Sequence, residues 1–184
     1  MSFNFERGVY ETGIEFDQFM HFAERQVGQN WCWAACVEMV LHYYGIRITQ
    51  YDIVERTFGT DPDGNLPDWG ASPSVVHENL NNWGVDNEGL PYKIRARYFP
   101  KVPSPVDFLN QLIRRKPIIV GYNHHGSGHA VVVTGACFKI NRNNFVSVKS
   151  IIVQDPSGES VEYTAGSLTK LIYSAWFIDV QLDL

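Results

Sequence analysis

The pattern of the chain changes at Pro117, and that change limits the folds open to it. Beyond it, Pro117 to Tyr122, His129 to Ile140, Phe145 to Gln154 and Ser174 to Gln181 are rich in β-branched and aromatic residues, which suit a pleated, packed surface. Asn141-Arg142-Asn143-Asn144 lies between two of these runs and predicts an antiparallel hairpin. Before Pro117 the signals are helical. Asn30 as N-cap and Gly45 as stop bracket a helix over 31–44, and Thr49 with Asp52 three residues on opens a second that ends at Phe58 before Gly59. Ser72-Pro73 opens a third, with Val75, Val76, Leu80 and Trp83 at helical spacing. Ser104-Pro105 opens a fourth, whose Val106, Leu109, Leu112 and Ile113 share a face until Pro117 stops it. Helices first and strands afterwards predict an α+β fold, with the helices collected on one side of an antiparallel sheet.

A chain of 184 residues, 45% apolar, can bury one substantial core, so residues 1–184 are expected to form a single domain with 1–25 as an N-terminal extension. The net charge of −5 and a pI of about 5.6 leave no basic footprint for nucleic acid, and Arg114-Arg115-Lys116 is too short a run to make one. The longest apolar runs are strand-sized, which predicts a soluble protein with no membrane partner. Met1 to Gln26 has no charged segment followed by an apolar one, so the chain is expected in the cytoplasm, or exported as an effector by a machine that reads other signals. Cys32, Cys36 and Cys137 make an odd count that does not form a disulfide framework and fits a reducing compartment.

Cys32 is the residue with a reason to react. It falls in the first turn of the predicted helix, where unpaired backbone N–H groups and the positive end of the helix dipole favour a thiolate. Cys36, one turn on, reads as core. Hydrolysis by a thiol needs a base, a group to orient it and donors for the oxyanion. His129 follows Gly126-Ser127-Gly128 at the rim of a strand, and Asp155 follows Ile151-Ile152-Val153-Gln154 where a strand ends in a turn. The predicted hairpin brings the start of one strand near the end of the other, so the two side chains have a reason to meet. Each also has a plain structural role: a small buried thiol, a rim histidine, a turn aspartate. No metal or cofactor is expected. His124, His125 and His129 lie within six positions but lack the glutamate and the helical face of an HExxH site, and Asp61 to Asp63 lacks the glutamate that ends an EF-hand loop. Trp33, Trp69, Trp83 and Trp176 are expected in the core or the wall of a cleft.

Four pieces, Gln26 six residues before the cysteine, Cys32-Trp33-Ala34-Ala35, Gly128-His129-Ala130-Val131-Val132-Val133 and Val153-Gln154-Asp155-Pro156, together resemble the papain-like cysteine peptidases. The closest likeness is to the compact bacterial group that includes the C39-like peptidases and the C70 type III effectors. The resemblance implies a papain-like fold, a helical N-terminal half packed on an antiparallel C-terminal half with the active site in the cleft between them. It implies Cys32 as nucleophile, His129 as general acid/base, Asp155 as the orienting group, and Gln26 with the Cys32 N–H as oxyanion donors. Gln29 is a second oxyanion candidate whose spacing does not match the family. Papain has asparagine where this chain has Asp155. Trp33, His125 and Gly128 are expected to bind substrate. The implied activity is hydrolysis of a protein or peptide through an acyl-enzyme. The same triad also serves glutamine deamidation or transglutamination, and a catalytically silent peptide-binding module is a third reading. Control is expected from a secretion or regulatory partner, from delivery or from a short N-terminal segment; oligomeric state is not legible.

Overall fold

The computed structural model describes residues 1–124, 126–168 and 171–182. Two short strands, β1 (Ser2–Asn4) and β2 (Val9–Gly13), precede the helices α1 (Phe16–Met20), α2 (Cys32–Tyr43), α3 (Gln50–Phe58) and α4 (Pro73–Asn79). Then come β3 (Trp83–Val85), β4 (Pro91–Phe99), α5 (Pro105–Ile113), β5 (Ile118–His124), β6 (Ser127–Ile140), β7 (Val146–Gln154), β8 (Ser160–Thr164), α6 (Ala165–Leu168) and β9 (Ile172–Leu182). The strands form one antiparallel sheet in the order β1-β2-β6-β5-β9-β4-β3. β7 pairs with the opposite edge of β6 along 132–140 and carries β8 beyond it.

The α+β class is as expected, but the helices do not share one side. α2, α3 and α4 pack on one face, where Val37, Val40, Ile53 and Val76 meet Ile94, Ile119, Val132 and Trp176. α5 packs Phe108, Leu109 and Leu112 on the other, against Ile118, Val120, Val131, Val133 and Phe177. The central strands are therefore covered twice, which explains the unbroken apolar run Ala130-Val131-Val132-Val133 in place of an alternating one. Periodicity shows that a helix has an apolar stripe; it does not show which face of the sheet receives it.

Strands also appear before Pro117. Residues 1–25, expected as an extension, supply α1 and the strands β1 and β2, the latter paired with β6 from Tyr10↔Phe138 to Gly13↔Gly135. The third predicted helix stops at Leu80, and Trp83 lies in edge strand β3, 77% exposed. Asn82 O accepts from Ile94 N at 2.7 Å and Asn81 Oδ1 from Ala96 N at 3.0 Å, so β4 captures the chain as the helix ends. Trp69 is likewise exposed, whereas Trp33 and Trp176 are buried as expected.

Other local predictions hold in atomic detail. Thr49 and Asp52 form the reciprocal capping box of α3, and Ser72 and Ser104 cap helices with proline in the first turn. At the β6–β7 turn Asn141 Oδ1 accepts from Asn143 N and Phe145 N, with Asn144 at φ 62° in the left-handed region that asparagine tolerates. α2 is buried on every side from Trp33 to Leu41, so it is the axis of its half of the molecule, and it reaches the surface at its two ends, Cys32 at one and His42 and Tyr43 at the other.

Candidate active site

The N-terminal end carries Cys32, the first residue of α2 and half-buried. Asn30 does not cap the helix; the N-cap position belongs to Trp31, whose side chain makes no cap hydrogen bond. Asn30 is drawn away by Asp68, whose Oδ1 accepts from Asn30 N at 2.8 Å and Oδ2 from Gln29 N at 3.2 Å, while Asn30 Nδ2 donates to Asp68 O at 3.0 Å. The indoles of Trp31 and Trp33 donate to Pro67 O and Trp69 O, so the polar loop before α4 is stapled along the loop that enters α2. Gly28 is required there: a Cβ would stand 2.7 Å from Asp68 Oδ1 and from the Trp31 ring. The result is a helix N-terminus with no capping side chain, beside a cysteine.

His129 lies in β6 opposite Tyr122 of β5, near the start of its strand. The strand starts at Ser127, two residues before the histidine, because Gly128 and Ser127 pair with Asn123 and His124. Asp155 follows the last residue of β7, in a turn closed by Gly158 N→Asp155 O and Asp155 N→Glu159 O. The β6–β7 hairpin thus returns Asp155 to the end of the sheet where His129 stands. His129 Nε2 is 3.0 Å from Asp155 Oδ2 and 3.2 Å from Oδ1, and Oδ1 also accepts from Ser157 N at 2.8 Å. With Nε2 committed to the carboxylate, Nδ1 is the ring nitrogen for exchange with Cys32, whose interaction with His129 raises the imidazole pKa. Tyr122 meets the imidazole edge to face, with ring centroids 5.6 Å apart.

The electrostatics follow from these contacts. Burial alone would lower the His129 pKa, but hydrogen bonds to Asp155 and Cys32 and their charges raise it to about 9. Burial pushes Asp155 up, and hydrogen bonds from His129 and Ser157 outweigh it and hold the carboxyl below its ordinary value. Cys36, one turn on, is fully buried, and burial drives its thiol well above the usual range, as for a protonated packing residue.

Cys32, His129, Asp155, Gln26, Gln29, Trp33 and Gly128 all line one cleft of about 570 Å³ between α2 and the sheet. His125 lies outside the described residues. Gln26 N donates to Pro156 O at 2.8 Å, tying the loop before α2 to the Asp155 turn. The Gln26 side-chain amide donates to Gly28 O at 3.0 Å and Gln29 O at 2.7 Å, within its own loop. Ser157, Tyr163, Tyr173 and Asp68 were not singled out from the sequence. Of these only Ser157 had a signal, the Asp-Pro-Ser-Gly turn in which an aspartate accepts from the N–H two residues on. Among the described residues no cluster of histidine, cysteine or carboxylate side chains is arranged to hold a metal, and no helix is long and apolar enough to cross a membrane.

The sequence model of the peptidase C39-like family matches residues 16–176, nearly the whole chain and all the residues of this cleft. The chain belongs to that family. This C39-like protein is a cysteine-type peptidase. Its fold is similar to that of the peptidase domain of Streptococcus ComA, described as a bi-functional ABC transporter involved in a quorum-sensing pathway. The TM-score is 0.57 at 16% identity over 85% of this chain and 96% of that one. It is also similar to a double glycine motif protease from an AMS/PCAT transporter, solved in complex with its leader peptide, with a TM-score of 0.51 at 18% identity over 85% of this chain and 89% of that one. No curated protein matches the C39-like peptidase.

Proposed function

We propose that the peptidase cleaves peptide bonds by covalent catalysis, with Cys32 as nucleophile, His129 as general acid and base and Asp155 as the group that orients His129. The observation that carries this reading is the imidazole paired with the Asp155 carboxylate through Nε2 in the cleft that it shares with Cys32. A proton passes from Cys32 to His129 Nδ1, and the Asp155 carboxylate at Nε2 stabilises the imidazolium that forms. The thiolate attacks the substrate carbonyl carbon, and the electron pair of the C=O bond moves to the oxygen. Collapse of this adduct expels the amine, which takes the proton from Nδ1, and leaves a thioester. Nδ1 then removes a proton from water, the hydroxide attacks the thioester, and Cys32 departs as thiolate.

The oxyanion faces the uncapped first turn of α2, whose N–H groups at Cys32, Trp33 and Ala34 have no acceptor within the helix. Gln26 is the side-chain donor, and one of its amide protons leaves the Gly28 or Gln29 carbonyl when the charge forms. A peptide substrate is supported by the leader peptide held by the AMS/PCAT neighbour, and the cleft is of a size to take several side chains of one.

Alkylation by iodoacetamide tests the nucleophile. Labelling is expected to disappear in Cys32→Ala and persist in Cys36→Ala; equal labelling of both variants rejects Cys32. Mass spectrometry of treated polypeptides tests the reaction. New chain termini support hydrolysis, a gain of about one mass unit on glutamine identifies deamidation, and crosslinks identify acyl transfer to an amine.

A further inference from the structure

The loop that carries Gln26 has no secondary structure of its own at 25–27, so its position is set by whatever grips it. One grip is the Gln26 N–H on Pro156 O. The other comes from α3. Gln50 Nε2 donates to Arg25 O at 2.9 Å, and Gln50 Oε1 accepts from Val27 N at 3.0 Å. One side-chain amide thus pairs with the C=O of residue 25 and the N–H of residue 27, the bonding that a neighbouring strand offers to alternate residues. The peptide is held along both edges, by Gln50 on one and by Pro156 on the other, with Gln26 between them at the cleft.

Gln50 is itself fixed. It is the first residue of α3, immediately after the Thr49 capping box, and 3% exposed. Its second amide proton goes to Glu38 Oε2 at 2.7 Å, from the buried centre of α2. Both donors and one acceptor position of the amide are therefore spent, two of the three bonds on the backbone that flanks Gln26. An apolar residue would pack at the N-terminus of α3 without this polar network, whose burial is unfavourable unless every bond is made.

We infer that Gln50, anchored by Glu38, is a positioning residue for catalysis: it fixes the backbone of residues 25–27 so that the Gln26 amide meets the developing oxyanion. This rests on the reading of Gln26 as oxyanion donor. The two stand or fall separately in a double-mutant cycle on the full chain, with the internally quenched peptide that the wild type cleaves fastest from a mixed library as probe.

Gln26→Ala is expected to lower kcat by about 100-fold, the scale of a lost oxyanion donor. Gln50→Met, close in volume but unable to make the paired bonds, is expected to lower kcat about tenfold with KM within about twofold, because small misplacements of a catalytic group cost rate more than binding. In the Gln26→Ala background the same change should alter kcat by less than about twofold, the non-additivity of residues acting through one another. Iodoacetamide alkylation of Cys32 should keep its wild-type rate in Gln50→Met, which separates the effect from unfolding. Glu38→Gln, which keeps an acceptor for the Gln50 amide, should retain more of kcat than Glu38→Leu, and this pair decides the matter if Gln50→Met does not fold. Losses that multiply across the cycle, or alkylation and kcat falling together, would make Gln50 merely structural and overturn the inference alone. A Gln26→Ala enzyme with wild-type kcat, or a wild type that cleaves nothing in the library, would overturn the underlying reading and the inference with it.

Discussion

Asp155→Asn isolates the pair at the centre of the cleft. The substitution keeps a side-chain carbonyl for Ser157 N, so the turn retains that bond while His129 loses its anionic partner. In the native protein His129 is held at about 9, against about 6.5 for an unperturbed histidine, a difference worth about 3.5 kcal/mol at about 1.4 kcal/mol per pH unit. The His129 side chain is 21% exposed and Asp155 11%, and part of the rise comes from Cys32, so a loss of about 2 kcal/mol is expected. The sign with pH is fixed. The raised histidine contributes fully below about 6.5 and loses its contribution as pH climbs through about 9, while the depressed Asp155 contributes above its ordinary value near 4 and fails as pH falls. The stability gap between wild type and Asp155→Asn should therefore be widest at about pH 5–6.5 and close by about pH 10. Urea unfolding at a series of pH values measures it, with equal m-values as the check on two-state behaviour. An NMR titration of the six histidines reports His129 directly, and its midpoint should fall by more than one pH unit in the variant. A gap that stays constant from pH 6 to 10, or an unmoved His129 midpoint, would refute the assignment of the raised pKa to Asp155.

The peptidase rate should follow a bell in pH whose upper limb lies near 9, since the imidazolium must survive to protonate the leaving amine; a rate still rising at pH 10 contradicts this. Glu38 is pushed up to about 7 by burial, against the hydrogen bond from Gln50, so its contribution to stability is complete below about pH 4.5 and disappears as pH rises through 7. Glu38→Gln, neutral at every pH, should accordingly gain about 1–3 kcal/mol relative to wild type between pH 5 and 8 in the same urea series. Gly28→Ala forces a methyl group against Asp68 and the Trp31 ring, and is expected to destabilise the protein by about 1–3 kcal/mol and to slow alkylation of Cys32, read by thermal melting and mass spectrometry.

The parts of this molecule legible in its sequence are those decided by neighbours along the chain. Thr49 finds Asp52 three residues away, proline follows Ser72 and Ser104, and Asn141 satisfies the turn it starts. The β6–β7 hairpin was legible for the same reason, and with it the meeting of His129 and Asp155. Decisions made through space were not. Asn30 has the chemistry of an N-cap, yet Asp68, 38 positions on, takes its hydrogen bonds. β4 carries an alternation hidden by charge: Tyr92 and Ile94 are buried while Lys93, Arg95 and Arg97 line the other face, a period of two that a positively charged segment conceals. The side of the sheet taken by α5 depends on which face the other helices leave bare. Gln50 looked like an ordinary residue at a helix start, and only the folded backbone of 25–27 gives its amide a purpose.

The β6–β7 hairpin has a practical consequence. From Val132↔Gln154 to Ile140↔Val146 the paired strands run nine residues away from the site, about 30 Å at the usual rise per residue. Residues 141–145 at the tip are exposed, and doubling a loop costs only about 0.6 kcal/mol. A fluorophore, an affinity tag or a whole guest domain spliced there would ride on the enzyme at arm's length from His129 and Asp155, whereas one residue added within either strand would slide the aspartate off its histidine.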